Sequence, residues 1–88
     1  MSRGRALLAL VAKIKSYECQ DGEVLIYPGQ EVSKFYMIKR GFIKIMDKYN
    51  NYLPCLDEGS FFGEFNMLFQ LKSSFFYSCP RKVERCHN

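Results

Sequence analysis

Between residues 21 and 63 a glycine keeps returning, and most of these glycines close or open a short run of apolar side chains. Asp21-Gly22 precedes Val24-Leu25-Ile26-Tyr27, which stops at Pro28-Gly29, a type II turn pair. Phe35-Tyr36-Met37-Ile38 is closed by Gly41, and Phe42, Ile43, Ile45 and Met46 follow with Lys44 among them. Asn50-Asn51 is placed at a hairpin tip, and Tyr52-Leu53 with Cys55-Leu56 makes the return strand. Pro54 confines that strand to an edge or a bulge, because proline has no N–H to give to a ladder. Asp57-Glu58-Gly59 then turns the chain once more. Short strands repeating at about 8–12 residues with a glycine at each corner predict a mainly β chain, a small antiparallel roll or barrel of jelly-roll type.

The ends read differently from this body. Leu7, Leu10, Val11 and Ile14 fall at i, i+3, i+4 and i+7, which predicts an amphipathic N-terminal helix over residues 1–15. Its apolar stretch, ALLALVA, is far too short to cross a bilayer and at the short limit for a signal peptide. Residues 1–15 carry Arg3, Arg5, Lys13 and Lys15 with no acid, and residues 80–88 carry Arg81, Lys82 and Arg85 against Glu84. The intervening residues 16–79 hold six Lys and Arg against eight Asp and Glu, so the net charge of +4 resides in the two ends. A nucleic-acid-binding body needs a basic stripe matched to phosphates, and none is visible. The expected organisation is a helix over 1–15, a roll over 16–79 and a basic tail over 80–88.

Four cysteines, Cys19, Cys55, Cys79 and Cys86, show no C-x-x-C pairing, and the one histidine is His87, so a zinc site is poorly supplied. Their even number permits two disulfides. The body alternates well enough to build a core without them, and the expectation is free thiols in a reducing compartment. A barrel metalloenzyme of cupin type would need several inward histidines or carboxylates, and no nucleophile–base pair is evident, so no catalytic or metal residue is assigned.

The stretch GSFFGEFNMLFQLKSS, residues 59–74, carries the functional reading. Taken with Asp21-Gly22-Glu23-Val24-Leu25-Ile26, Pro28-Gly29, Phe35-Tyr36-Met37-Ile38 and Gly41, it resembles the cyclic-nucleotide-binding domain, and most nearly that of cyclic-nucleotide-gated and hyperpolarisation-activated channels. The resemblance covers about residues 7–79. It implies a β-roll with a short helix in a phosphate-binding cassette beginning at Phe62-Gly63-Glu64-Phe65. There glycine admits the ligand close to the backbone, the first amides of the helix face an anion, and the Glu64 carboxylate accepts hydrogen bonds from the ribose 2′-hydroxyl. It also implies that Ile45 and Leu56 sandwich the base.

Two departures accompany the resemblance. The family places an arginine about nine residues after the glutamate, where its planar fork pairs with the cyclic phosphate. Here Ser73 stands at that place, Ser74 follows at the hydroxyl position, and Lys72, one position early, offers a point charge without the fork. Phe75 replaces a small residue beside the pocket, whereas Leu68, Phe69 and Leu71 read as packing. The family also closes over the base with a lid helix, which residues 79–88 are too short and too aperiodic to form.

The resemblance therefore implies a non-catalytic sensor of cAMP or cGMP, with no other cofactor, that regulates a larger channel-like protein from the cytoplasmic side. Its partners would be the nucleotide and the rest of that protein, with membrane contact only through the parent and no nucleic acid. The alternative is a degenerate roll kept as a structural or interaction domain. A transcription regulator of the catabolite type would need a helix-turn-helix that these residues do not contain.

Overall fold

The structure, a computed structural model, describes residues 6–10 and 15–86. In chain order its elements are β1 (Leu7–Leu10), β2 (Lys15–Glu18), β3 (Val24–Ile26), β4 (Tyr36–Arg40), β5 (Ile43–Asp47), β6 (Tyr52–Leu56), β7 (Phe61–Phe62), α1 (Glu64–Leu68) and β8 (Phe75–Ser78). The strands form two four-stranded sheets in the orders β2-β1-β4-β7 and β3-β8-β5-β6, with every pairing antiparallel. The chain is thus mainly β, as its glycine-punctuated pattern predicts.

The N-terminal helix is corrected. Leu7–Leu10 is an extended strand in the middle of the first sheet, bonded to β2 on one side and β4 on the other. A short apolar run satisfies the helical and the extended period equally well, so its surroundings choose. Ala6 and Leu8, two residues apart, are both fully buried while Leu7 is half-buried, which is the alternation of a strand. Val11 and Ile14, the remaining members of the expected helical face, lie outside the described residues.

The two sheets pack through alternate residues. Leu8, Tyr36, Ile38 and Phe62 of the first sheet meet Ile26, Ile43 and Tyr77 of the second in one core. Three rings run through it: Tyr36 stacks on Phe62 at 4.9 Å between centroids, and Phe62 stacks on Tyr77 at 5.1 Å. Each fully buried Leu or Ile contributes about 1.5–3 kcal/mol, and each stacked pair adds about 0.5–1.5 kcal/mol.

Pro54 sits where proline is tolerated. Strand β6 is the edge of its sheet, and its register shifts opposite β5: Ile43 faces Leu56 while Ile45 faces Leu53, so β6 carries one residue more than its partner there. The Asn50-Asn51 tip is also as expected. Asn50 takes a φ of 67°, and the Asp47 carboxylate accepts from the backbone N–H groups of Tyr49 and Asn51. Those bonds hold the Asp47 carboxyl below its ordinary pKa.

The cysteines are the second correction. All four are paired, Cys19 with Cys79 and Cys55 with Cys86, so the free-thiol expectation does not hold. Sequence distance gives no hint of these pairs, which span 60 and 31 residues. Cys19 follows β2 and Cys79 follows β8, and the fold brings these two strand ends together in the core. Among the described residues, no helix is long and apolar enough to cross a membrane. Residues 80–86 contain no helix.

Candidate functional site

The route into the cassette is built by local hydrogen bonds. The backbone N–H of Ser60 donates to the Asp57 carbonyl at 3.1 Å, closing the turn, and β7 then pairs with β4 through Tyr36–Phe62 and Met37–Phe61. Gly63 follows at φ 89°, and a Cβ built there would lie 3.1 Å from the Lys34 carbonyl oxygen and 3.3 Å from Val32 Cγ1. Only glycine meets both demands without displacing backbone. The glycine is therefore required by the packing of the 32–35 segment, whatever else it serves.

Helix α1 opens at Glu64 and lasts five residues. It is too short to build much of a macrodipole, so the carboxylate matters more than the helix end. Glu64 is half-buried, and its Oε2 atom is shut off from solvent with no hydrogen-bond partner. A buried carboxylate oxygen without a donor costs about 1–3 kcal/mol or more, so its retention asks for an explanation. Its electrostatic neighbour is Tyr77 on β8. The Tyr77 phenol is pushed above its ordinary value of 10.0, first by burial and second by the negative charge of Glu64.

Strand register carries this neighbourhood across the second sheet. Tyr77 lies opposite Ile26 on β3 and opposite Ile45 on β5, and Ile45 lies opposite Leu53 on β6. Directly opposed residues share a face, so Ile26, Tyr77 and Ile45 line the inward side together. Ile45 is buried, and Leu56 is half-buried against the same core. The fold thus sets Ile45 opposite Tyr77 and brings the Glu64 charge to bear on that phenol. Tyr77 is not among the residues that the sequence assigns to the site. Its only signal was a polar tip in the strand FFYS.

The distal half of the cassette is arranged differently. Asn66 donates through Nδ2 to the carbonyls of Leu71 and Lys72, each at 3.2 Å, and so shapes the return from α1. Lys72 is exposed, with its backbone bridged to Glu31. Ser73 is only 5% exposed, and its hydroxyl donates to the Phe75 carbonyl at 2.7 Å and accepts from the Phe75 N–H at 3.1 Å. Its backbone is fixed as well, accepting from Gly29 N–H and donating to the Gln30 carbonyl. Ser73 therefore joins the 28–30 turn to β8, and Ser74 beside it is exposed.

Phe65, Leu68, Phe69 and Leu71 are 65%, 68%, 63% and 55% exposed, so the last three do not pack as the sequence suggested. The Phe65 and Phe69 rings stack on each other at 6.0 Å on the outside of α1. No protein-family model, curated protein or solved structure matches the chain.

The effect of the Glu64 charge on Tyr77 has a direct test. The difference between the spectrophotometric titrations of the native protein and of Tyr77→Phe isolates this phenol, and its midpoint is expected above 10. Glu64→Gln is expected to lower that midpoint while leaving it above 10, because burial is the larger cause. An unchanged midpoint would place the carboxylate away from the ring. By linkage, the protonated phenol favours the folded state below pH 10, and this contribution is lost as pH rises through the folded value.

Proposed function

We propose that this chain is a non-catalytic regulatory module of the cyclic-nucleotide-binding type, a β-roll that senses cAMP or cGMP within a larger channel-like protein. The observation that carries the reading is the Oε2 atom of Glu64, buried and unpartnered at the first residue of the cassette helix. A sugar hydroxyl is the kind of donor that would satisfy it once the groups covering that oxygen move aside, and Ile45, opposite Tyr77 in the sheet, is the apolar residue of the same neighbourhood. Binding would act by favouring one arrangement of the flanking segments over another.

A second reading, a degenerate roll with a structural role, is favoured by Ser73. Its hydroxyl is engaged by Phe75, so no fork of donors stands where the phosphate would be met. Replacing a charge-assisted pair by a neutral group forfeits about 1–2 kcal/mol, roughly ten-fold in affinity.

Titration of the protein with a fluorescent cyclic nucleotide separates the two. Saturable binding, weakened by Glu64→Gln, is the expected result. Absence of saturation up to about 1 mM ligand leaves the structural role. Restoring a guanidinium is best attempted as Lys72→Arg, because Lys72 is exposed whereas arginine at Ser73 would enter a buried, hydrogen-bonded position. A tightening of about ten-fold is expected from that change.

A further inference from the structure

The two disulfides occupy opposite environments. Cys19 and Cys79 are 0% and 1% exposed and belong to the core, whereas Cys55 and Cys86 are each only partly covered. The second pair joins the bulged edge strand β6 to the C-terminal segment and closes it over a cavity of about 280 Å³. That cavity is lined by Lys44, Ile45, Tyr52 and Leu53 of the sheet and by Glu84 and Arg85 of the segment.

Apart from the disulfide, the segment is held by polar contacts: the Lys82 N–H donates to Asp21 Oδ2 at 3.3 Å, and a polar latch holds it over the cavity. Glu84 pairs with the Lys44 ammonium, which also lies over the Tyr52 ring at 5.2 Å. Glu84 in turn accepts from the Arg81 N–H at 2.8 Å, which folds residues 81–84 into a turn. Lys44 and Glu84 both retain access to water, so solvent and salt weaken their attraction. Val83 is 88% exposed and adds no apolar anchor.

We infer that Cys55–Cys86 is a reducible strap: a dithiol opens it while Cys19–Cys79 stays closed, and the freed C-terminal segment uncovers the cavity beside Tyr52 and Leu53. Exchange requires a thiolate to reach a disulfide sulfur, and the core pair denies that approach. One thiolate of the dithiol attacks a sulfur of the strap and forms a mixed disulfide, and the other cysteine leaves as a thiolate that takes up a proton. The second thiol of the reductant then closes on the mixed disulfide. The protein gains two electrons and two protons, and the dithiol leaves as its own cyclic disulfide. Cys79 and Pro80 are buried and stay in place, while the basic segment carrying Arg81, Lys82 and Arg85 moves and gives up the Lys82 N–H bond to Asp21.

The test uses the full 88-residue chain. Samples held for one fixed short time in graded dithiothreitol are trapped with N-ethylmaleimide and mapped by peptide mass spectrometry. Cys55 and Cys86 are expected to label at a reductant concentration at least about ten-fold below that needed for Cys19 and Cys79. Simultaneous labelling of both pairs, or the opposite order, overturns the inference. Amide hydrogen exchange supplies the second readout. The selectively reduced protein and the Cys55→Ser/Cys86→Ser variant should both exchange faster at residues 81–86, with β1, β4 and β5 unchanged. Protection of 81–86 that survives loss of the bond would show that the polar latch alone holds the segment, and the strap would be refuted.

Discussion

Replacing Cys19 and Cys79 together by alanine is expected to lower stability by about 4 kcal/mol from the lost cross-link alone, before any cavity is counted. The pair spans 60 residues, and linking positions that far apart removes much of the freedom of the unfolded chain. It also sits inside the core cluster, so alanine leaves unfilled volume among Ala6, Leu8 and Ile26. The backbone at both cysteines is tied in too, with Cys19 N–H donating to the Ala6 carbonyl and Cys79 N–H to the Glu23 carbonyl. A domain of this size has a total stability of about 5–10 kcal/mol, so the variant should be close to half unfolded in mild urea. Urea titration of the oxidised protein and the variant measures the difference. Coincident midpoints would mean that the pair contributes nothing to the folded state.

The next largest effect separates strand from helix at the N-terminus. Leu8→Ala is expected to cost about 2–5 kcal/mol, and Leu7→Ala less than about 1.5 kcal/mol. Leu8 is fully buried between the sheets, in a strand with hydrogen-bonded neighbours on both sides, while Leu7 is half-buried. A helix with Leu7, Leu10, Val11 and Ile14 on its buried face would give the reverse order. Denaturant midpoints for the two variants decide the matter, and a greater loss at Leu7 would remove β1 from the sheet.

The same comparison shows why the sequence does not settle this end of the chain. ALLAL offers leucines at both helical and extended spacings, and nothing local breaks the tie. What decides it is a slot between β2 and β4 whose backbone groups need partners on both sides, a demand visible only once the sheet exists. From Gly22 to Leu56 the reading succeeded because turn chemistry and alternation are properties of adjacent residues. Pro54 announced an edge or a bulge, and β6 is both.

The candidate site was legible in the same uneven way. Gly63 and Glu64 stood out because the backbone conformation and the acid at the helix start are local signals. Ser73 could not be judged locally, since its burial depends on the 28–30 turn docking beside it. Tyr77 joined the site through its strand neighbours Ile26 and Ile45, which are far away in sequence.

By itself the sequence determined where the chain turns, which stretches extend, and that the result is mainly β. Those choices depend on φ preferences, missing donors and side-chain alternation over a few residues. Tertiary structure alone decided that Leu7–Leu10 is a strand, that the cysteines pair 19 with 79 and 55 with 86, and that the Glu64 charge acts on the Tyr77 phenol. Each of these is an interaction between residues distant along the chain, and its energy exists only after both sheets have closed on one core.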